Sequence, residues 1–238
     1  MDTWEYLRTQ LSPKDYEIAQ GLGLNLDGKI LAEMWPDFVN FERRWETEIP
    51  FLKKKLKKFK NPEVFDSALG AGVTSIGLKL NGIENVVSNE IDEDFRKVAL
   101  QQAKKYGVSL TITQYDWRGL PDELAETFDA VLCLGNSLSC LFKREDHLKA
   151  IRNFKKILKP GGELIIDERN YDRILRGDYN FKGDTNYCGL DKVECLPVYT
   201  SPSMIVLQYT HGQTGKRAHI VAYPFKGGEL SELLKNNP

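Results

Sequence analysis

The stretch VFDSALGAGVTS, residues Val64–Ser75, places two glycines one residue apart just after a short apolar run that ends in an acidic residue. Gly70 and Gly72 lack a Cβ, so the backbone there can turn sharply and come close to a ligand, and a following helix would offer free N–H groups. The stretch is typical of the first strand-to-helix turn of a doubly wound sheet, where such sheets bind ligands. A plain tight turn is the alternative interpretation of the glycine pair on its own.

The residues around this turn alternate between short apolar runs and longer helical stretches. The apolar runs are Val64–Phe65, Val86–Ser88, Leu110–Ile112, Phe128–Leu134 and Glu163–Asp167. Helical periodicity separates them, for example in Asp92–Tyr106 and Glu145–Leu158, and KPGGELIID (Lys159–Asp167) has the pattern of a helix stop, a turn and a buried strand. This alternation predicts right-handed crossovers and an α/β fold of the Rossmann-like, doubly wound type with a mainly parallel sheet.

Residues 1–60 are charged and helical in pattern, which predicts a helical cover for the sheet. Pro13, Pro36 and Pro50 are predicted to start or break its helices. The segment FLKKKLKKFK, residues 51–60, carries six lysines. Its apolar residues, which share one helical face, are Phe51, Leu52, Leu56 and Phe59. We interpret the lysines as the solvated face of a docked helix, with a nucleic-acid surface as the alternative.

The alternation of strands and helices ends after Asp167. Tyr171–Pro202 is predicted to be irregular, whereas Ser203–Tyr223 reads as two extended antiparallel segments joined by the turn HGQTGK. A short last helix is predicted at Glu229–Lys235. We expect the helical cover (1–60), a ligand-binding core (61–168) and a substrate-side insertion (169–238) to form one compact domain.

Composition and charge limit the classes of partner. The chain has 238 residues, 33 Lys plus Arg against 34 Asp plus Glu, and a net charge of -1, so nothing favours nucleic acid or a membrane, and a small molecule is the better expectation. The four cysteines show no metal-ligand or disulfide spacing, and no signal peptide or long apolar span is visible. They are Cys133, Cys140, Cys188 and Cys195. These features predict a cytoplasmic protein with reduced thiols and no metal site.

The residues that follow the glycine loop predict an adenosine pocket. Ser75 stands where the dinucleotide fingerprint GxGxxG has its third glycine, which weakens a pyrophosphate site. Glu90 ends the second strand about 20 residues past the loop, where a carboxylate can accept ribose hydroxyls. A helix N-terminal acid is the alternative role of Glu90. Asp116 and Trp117 follow the third strand and offer an acceptor for an exocyclic amine beside an aromatic surface. S-adenosylmethionine fits this set better than a dinucleotide.

Two further segments are more specific than the glycine loop. They are FDAVLCLGNSLSCL (Phe128–Leu141), with the element Leu-Gly-Asn-Ser, and LKPGGELIIDERNYDRIL (Leu158–Leu175), with Asp-x-Arg-Asn-Tyr-Asp. With them the chain resembles class I S-adenosylmethionine-dependent methyltransferases and, more narrowly, the glycine and glycine/sarcosine N-methyltransferases, from about Arg44 to about Leu234. The resemblance implies S-adenosylmethionine as cofactor, S-adenosylhomocysteine as product, and a small amine or amino acid as methyl acceptor.

The resemblance also implies a set of cofactor-binding residues. Ala68, Gly70 and Gly72 would form the loop on the methionine side, Glu90 would bind the ribose, and Asp116 with Trp117 would hold the adenine. Leu134 and Ser137 would touch the methionine moiety, and Arg44 would pair with its carboxylate, a surface arginine being the alternative. The family has Asp where this chain has Glu90, and commonly Asn where it has Asp116.

The implied acceptor residues are Asn136, Arg169, Tyr171 and Tyr209. An arginine can bind a carboxylate with two parallel N–H donors, so Arg169 indicates a zwitterion such as glycine or sarcosine. The alternatives are an ion pair of Arg169 with a neighbouring acid (Asp167, Glu168 or Asp172), and packing roles for Tyr209 and for Tyr187, a further candidate. No N-terminal tyrosine of the family can be placed with certainty, and Tyr16 is a poor candidate.

No dedicated general base is expected, because the sulfonium leaving group is already activated. His147, in a predicted helix, and His211, in a predicted turn, are expected to lie at the surface. A macromolecule methyltransferase and a non-catalytic S-adenosylmethionine-binding protein are the alternative functions. The resemblance further implies a β-hairpin after the last helix. Its apparent lack has three possible reasons: a shortened chain, substitution by residues 203–223 at the sheet edge, or completion by another subunit in a homo-oligomer.

Overall fold

A computed structural model describes residues 2–181 and 192–235. Its centre is a five-stranded sheet with the strand order β3-β2-β1-β4-β5, in which every neighbouring pair is parallel. The strands are β1 (Val64–Asp66), β2 (Val86–Asn89), β3 (Thr111–Thr113), β4 (Phe128–Cys133) and β5 (Leu158–Ile166). The predicted parallel, doubly wound sheet is thus confirmed. β1 and most of β4 are fully buried, which explains why these strands appear in the sequence as continuous apolar runs.

Helices cover both faces of this sheet. They are α1 (Thr3–Gln10), α2 (Pro13–Gly21), α3 (Gly28–Val39), α4 (Phe41–Leu56), α5 (Val73–Leu80), α6 (Glu93–Lys105) and α7 (Arg144–Ile157). α4 lies directly on α5: the indole Nε1 of Trp45 donates to the carbonyl oxygen of Val73 at 2.6 Å. Only glycine fits at position 77, since an ideal Cβ there would lie 2.4 Å from that indole nitrogen.

Two expectations about the N-terminal helices were wrong. Pro13 begins α2 as predicted, but Pro36 lies inside α3 and Pro50 lies inside α4. Tertiary packing overrides the local preference of proline here, because buried apolar residues on both sides hold each helix in place. Phe51 is 48% exposed, whereas Leu52 is completely buried. The sheet-facing stripe of α4 is therefore narrower than predicted and excludes Phe51.

The C-terminal part contains more regular structure than expected. Helix α8 (Tyr171–Arg176) and strand β6 (Val193–Thr200) lie in the stretch that was predicted to be irregular. β6 pairs with β7 (Ile205–His211), which pairs with β8 (Arg217–Ala222), and both pairings are antiparallel. The predicted hairpin of β7 and β8 and the last helix, α9 (Glu229–Lys235), are confirmed.

Two details of the sheet edge differ from the predictions. β5 follows α7 without a separate turn, because the Pro-Gly-Gly residues sit in a bulge where the register shifts between Phe128 and Ala130. The three antiparallel strands form a sheet of their own, so residues 203–223 do not extend the parallel sheet. Within the described residues, β5 is one of its two edge strands and β3 is the other. Among these residues, no helix is long and apolar enough to cross a membrane.

Candidate active site

A cavity of about 600 Å³ lies at the carboxyl ends of the parallel strands. Its floor comes from the loops after β1, β2, β3, β4 and β5, and its walls come from α1, α3, β7 and β8. The strand order reverses between β1 and β4, which is the place where open parallel sheets bind their ligands. The three-stranded antiparallel sheet covers this end of the parallel sheet. Its residue Tyr209 packs against Phe38 of α3, with the two ring centroids 4.8 Å apart.

The two glycines of the loop have different surroundings: Gly70 lines the cavity, whereas Gly72 packs against the core. Gly70 has a φ of 53° and lines the cavity together with Ala68. Gly72, which was predicted to bind the cofactor, is not among the lining residues. It has a φ of 94°, and an ideal Cβ on it would lie 3.0 Å from Ile76 Cδ1. Gly72 therefore permits the turn and the tight start of α5, and it contributes to the site only through the shape of the loop.

Ser75, at the position of the missing third glycine, fastens the loop to the sheet. Its hydroxyl donates to Asp66 Oδ2 at 2.6 Å and lies 2.8 Å from the hydroxyl of Ser88. All three residues are buried, and burial raises the pKa of Asp66 to about 6. A polar anchor thus takes the place that glycine has in dinucleotide sites, consistent with a pocket that does not hold a pyrophosphate.

Glu90 joins the two loops that form the middle of the cavity floor. One carboxylate oxygen accepts the N–H of Gly70 at 2.9 Å, and the other accepts the N–H of Asp92 at 2.9 Å. Burial raises the pKa of Glu90 to about 7, although both hydrogen bonds oppose this shift. Glu90 therefore has the helix-start role considered from the sequence, since it accepts an N–H group at the start of α6. It also lines the cavity, where its remaining lone pairs could accept hydroxyl groups of a ligand.

Asp116 and Trp117 lie together at one end of the cavity. The Trp117 indole donates to the carbonyl oxygen of Ser67 at 2.8 Å, which fixes the ring. Arg118, which the sequence analysis did not single out, pairs with Asp116 through an Nη2–Oδ2 distance of 2.5 Å. Hydrogen bonds from Arg118 hold the pKa of Asp116 below its usual range. Asp116 is thus an ionised acceptor next to an aromatic surface, an arrangement suited to an adenine ring.

Arg44, Leu134 and Ser137 also line the cavity. Arg44 is only 6% exposed, so the alternative of a surface arginine is wrong. Its Nη1 atom approaches the backbone at Gly135, where an ideal Cβ would be 3.9 Å away. The Ser137 hydroxyl donates to the carbonyl oxygen of Leu134 at 2.7 Å and so closes the turn after β4.

The four predicted acceptor residues all line the same cavity: Asn136, Arg169, Tyr171 and Tyr209. The backbone N–H of Asn136 donates to Asp167 Oδ1 at 3.0 Å, so this acid supports the loop of Asn136. Tyr171 and Tyr209 are each 1% exposed. Tyr209 packs against aromatic residues of α3, as the alternative prediction had it, and it also lines the cavity. Tyr187 lies outside the described residues.

Tyr6, Trp35 and His219 also line the cavity, and the sequence analysis missed all three. The Tyr6 hydroxyl donates to the carbonyl oxygen of Cys140 at 2.9 Å, and burial raises the pKa of the phenol. Tyr6 is thus an N-terminal tyrosine at the cavity, a position for which the sequence analysis found no candidate, whereas Tyr16 packs edge-on against Trp4. Only their position after folding identifies these residues, since no local motif surrounds them.

The three histidines of the chain lie in different surroundings. His147 was expected at the surface but is 1% exposed, and its Nε2 lies 2.8 Å from the carbonyl oxygen of Leu141, outside the cavity lining. His211 is partly buried beside Asp37 at 3.4 Å. His219 lines the cavity, but its Nδ1 accepts the N–H of Asn25 at 3.0 Å. The arrangement is thus suited to binding and orienting two small ligands.

Comparisons with known proteins agree with this geometry. A family model described as a methyltransferase domain matches residues 64–162. Glycine/sarcosine N-methyltransferase of Aphanothece halophytica is 36% identical over 203 residues, which cover 85% of this chain and 76% of that protein. Human glycine N-methyltransferase is 28% identical over 232 residues, covering 86% and 78% of the two chains.

Solved structures show the same fold. The PH0226 protein from Pyrococcus horikoshii OT3 superposes with a TM-score of 0.63 at 23% identity, covering 82% of each chain. An S-adenosylmethionine-dependent methyltransferase from Clostridium acetobutylicum ATCC 824 also has a TM-score of 0.63, at 17% identity and with 84% and 80% coverage. With the relatives above, these matches show that the chain belongs to the glycine/sarcosine N-methyltransferase family and is an S-adenosylmethionine-dependent methyltransferase.

Proposed function

We propose that this enzyme transfers a methyl group from S-adenosylmethionine to the nitrogen of a small amino acid, glycine or sarcosine. The observation that carries the proposal is that Arg169, from the end of β5, lines the same cavity as Gly70 and Glu90. A group that could bind a carboxylate thus shares one cavity with the residues proposed for the nucleoside. The activities for which these relatives are named, N-methylation of glycine and sarcosine, are consistent with this pairing.

The residues present fit S-adenosylmethionine. A volume of about 600 Å³ is within the usual range for small-molecule sites, and the glycine loop leaves the cavity wall open where a side chain at Gly70 would extend toward Trp35. Asp116 and Trp117 would hold the adenine, Glu90 the ribose, and Arg44 the carboxylate. When bound, the cofactor supplies a methyl group that is already activated on a sulfonium.

The acceptor side is built for a small zwitterion. Arg169 can give two parallel N–H donors to one carboxylate, and Asn136 lies in the neighbouring loop, after β4. Helix α1 and strands β7 and β8 enclose this part of the cavity, which disfavours a macromolecular acceptor. A small amino acid would therefore be held by its carboxylate, with its nitrogen directed toward the methyl group.

In the reaction a C–N bond forms as the C–S bond breaks. The attacking amine must be neutral, and the proton it loses on becoming neutral goes to solvent. The enzyme's contribution is to align nitrogen, carbon and sulfur and to exclude water, and such positioning can supply several kcal/mol of barrier reduction. The hydroxyls of Tyr171 and Tyr209 would accept hydrogen bonds from the amine and face the polarised methyl group.

The experiment measures S-adenosylhomocysteine release with glycine, sarcosine, dimethylglycine and amines that lack a carboxylate. We expect turnover only with carboxylated acceptors. Arg169→Lys should raise the acceptor KM by about 30-fold, because Lys cannot copy the bidentate contact, while the Kd for S-adenosylhomocysteine should change less than about twofold. Arg176→Ala, an exposed arginine seven residues further along, is the matched control and should change neither value.

Two outcomes would contradict the proposal. If Arg169→Lys weakened acceptor and cofactor by the same factor, Arg169 would not be the acceptor's receptor. If the protein bound S-adenosylmethionine but turned over no small amine, a non-catalytic binder or a macromolecule methyltransferase would replace the proposal. Assembly as a homo-oligomer and a cytoplasmic location stay predictions. Within the described residues no further strand pairs with β5 at the edge of the sheet, which supports the first, and sedimentation velocity tests it.

A further inference from the structure

A glutamate on α4 forms an ion pair with the arginine of the proposed cofactor site. Glu48 lies one helical turn after Arg44, and its Oε2 is 2.6 Å from Arg44 Nε. The two side chains are 14% and 7% exposed, so the pair is largely removed from water. The other oxygen of Glu48, Oε1, accepts a hydrogen bond from the Thr74 hydroxyl at 2.6 Å. Both oxygens of this carboxylate therefore have a close donor.

Of Arg44, Glu48 and Thr74, two line the cavity and one lies behind them. Arg44 and Thr74 line the cavity, whereas Glu48 is not among the lining residues. Thr74 is the second residue of α5, directly after the glycine loop. Glu48 thus connects the arginine on α4 to the helix start that carries the loop. It has no wall position of its own from which to contact a ligand.

We propose that Glu48 is a positioning residue for the cofactor: it fixes Arg44 through Nε, so that the outer nitrogens of the guanidinium meet the methionine carboxylate. An arginine side chain that is already ordered loses less conformational freedom when its ligand binds. The inference rests on the role proposed above for Arg44. It does not depend on the identity of the methyl acceptor.

Electrostatics alone predicts the opposite effect, in which Glu48 weakens the binding of the cofactor carboxylate. Arg44 is surrounded by acids, since its charge lowers the pKa of both Asp66 and Asp167 while the charge of Glu48 raises both. A further negative charge here would repel a ligand carboxylate. Positioning and repulsion predict opposite signs for the same substitution, which makes the inference testable.

The experiment compares two ligands that differ by one carboxylate. Calorimetry gives the Kd values of S-adenosylhomocysteine and of its decarboxylated analogue for the unchanged protein, for Glu48→Gln and for Glu46→Gln. Gln keeps the length of Glu but removes the charge that both donors share. Glu46, two residues earlier on α4 and exposed, is the matched control. Because no acceptor is present, the result is independent of the methyl-transfer assay.

Glu48→Gln should weaken S-adenosylhomocysteine by about tenfold and leave the decarboxylated analogue within about twofold, while Glu46→Gln changes neither. In an Arg44→Met background, Glu48→Gln should have no further effect on either ligand. Equal weakening of both ligands would show a merely structural role, and tighter binding of S-adenosylhomocysteine would show repulsion. Either result overturns the inference, as would an unchanged protein that does not distinguish the two ligands.

Discussion

The affinity for S-adenosylhomocysteine should fall about tenfold when the pH is lowered from 8 to 6, because Glu90 must be ionised to accept the ribose hydroxyls. Each of its oxygens already accepts one N–H group, and only the carboxylate has lone pairs left for two more donors. Burial raises the pKa of Glu90 to about 7. About nine tenths of the protein is then ionised at Glu90 at pH 8 and about one tenth at pH 6, so the competent fraction drops about tenfold.

The sign of the proton exchange follows from the same linkage. Binding selects the ionised form, so protons are released on binding, about half a proton per site at pH 7. Calorimetry at pH 6, 7 and 8 in buffers of different ionisation enthalpy measures both the affinity and this proton number. Glu90→Gln should lower the affinity at pH 8 and remove most of the pH dependence.

The control is Glu93→Gln, an exposed acid three residues further along whose pKa is held below its usual range by a hydrogen bond from Lys97. This variant should keep the full pH dependence of the unchanged protein. If Glu90→Gln kept it as well, another group would be responsible. Asp66, whose pKa burial raises to about 6, would then be the next candidate, and the reasoning about Glu90 would be refuted.

Three further outcomes are expected. Gly77→Ala should lower the free energy of unfolding by about 2 kcal/mol in urea titrations, because its Cβ would clash with Trp45, whereas Gly21→Ala, with nothing within 4 Å, should not destabilise. Burial lowers the pKa of His147, so the folded state binds fewer protons than the unfolded chain, and stability should fall as the pH drops below 6.5; His147→Gln should flatten this dependence. If Tyr6 acts on the acceptor, Tyr6→Phe should reduce kcat by about fivefold and leave the Kd for S-adenosylhomocysteine unchanged. A loss of affinity for S-adenosylhomocysteine by the same factor as kcat would contradict this role.

The central sheet and the floor of the site were predictable because their signals are local. A buried parallel strand is a continuous apolar run, and a glycine pair directly after such a run marks the turn that approaches a ligand. Gly70 and Glu90 follow β1 and β2, so their meeting at one sheet edge follows from the strand order alone. The same reasoning placed Arg169 at the cavity, since it follows β5.

The walls of the site were not predictable in this way. Tyr6 and His219 lie far apart in the sequence. Both line the cavity only because α1 and the antiparallel sheet pack over the same opening. Neither residue has a neighbour in sequence that signals a ligand. His147 was misjudged for a related reason: its helix is mostly charged, and only the packing of Tyr223 and Phe225 around the imidazole buries it.

The site residues are held by one another before they meet any ligand, and this order has a cost in stability. Glu90 is held by the glycine loop, Arg44 by Glu48 and Asp116 by Arg118. Burial raises the pKa of Glu90, as it does that of Asp167, which supports the loop of Asn136, so the folded protein binds more protons than the unfolded chain between the ordinary and the raised pKa. The free energy of unfolding therefore falls as the pH rises through this window and these groups ionise. If Glu90 binds the ribose as proposed, the ionised carboxylate that does so is thus the form that destabilises the ligand-free protein most, and ligand hydroxyls would compensate part of that penalty.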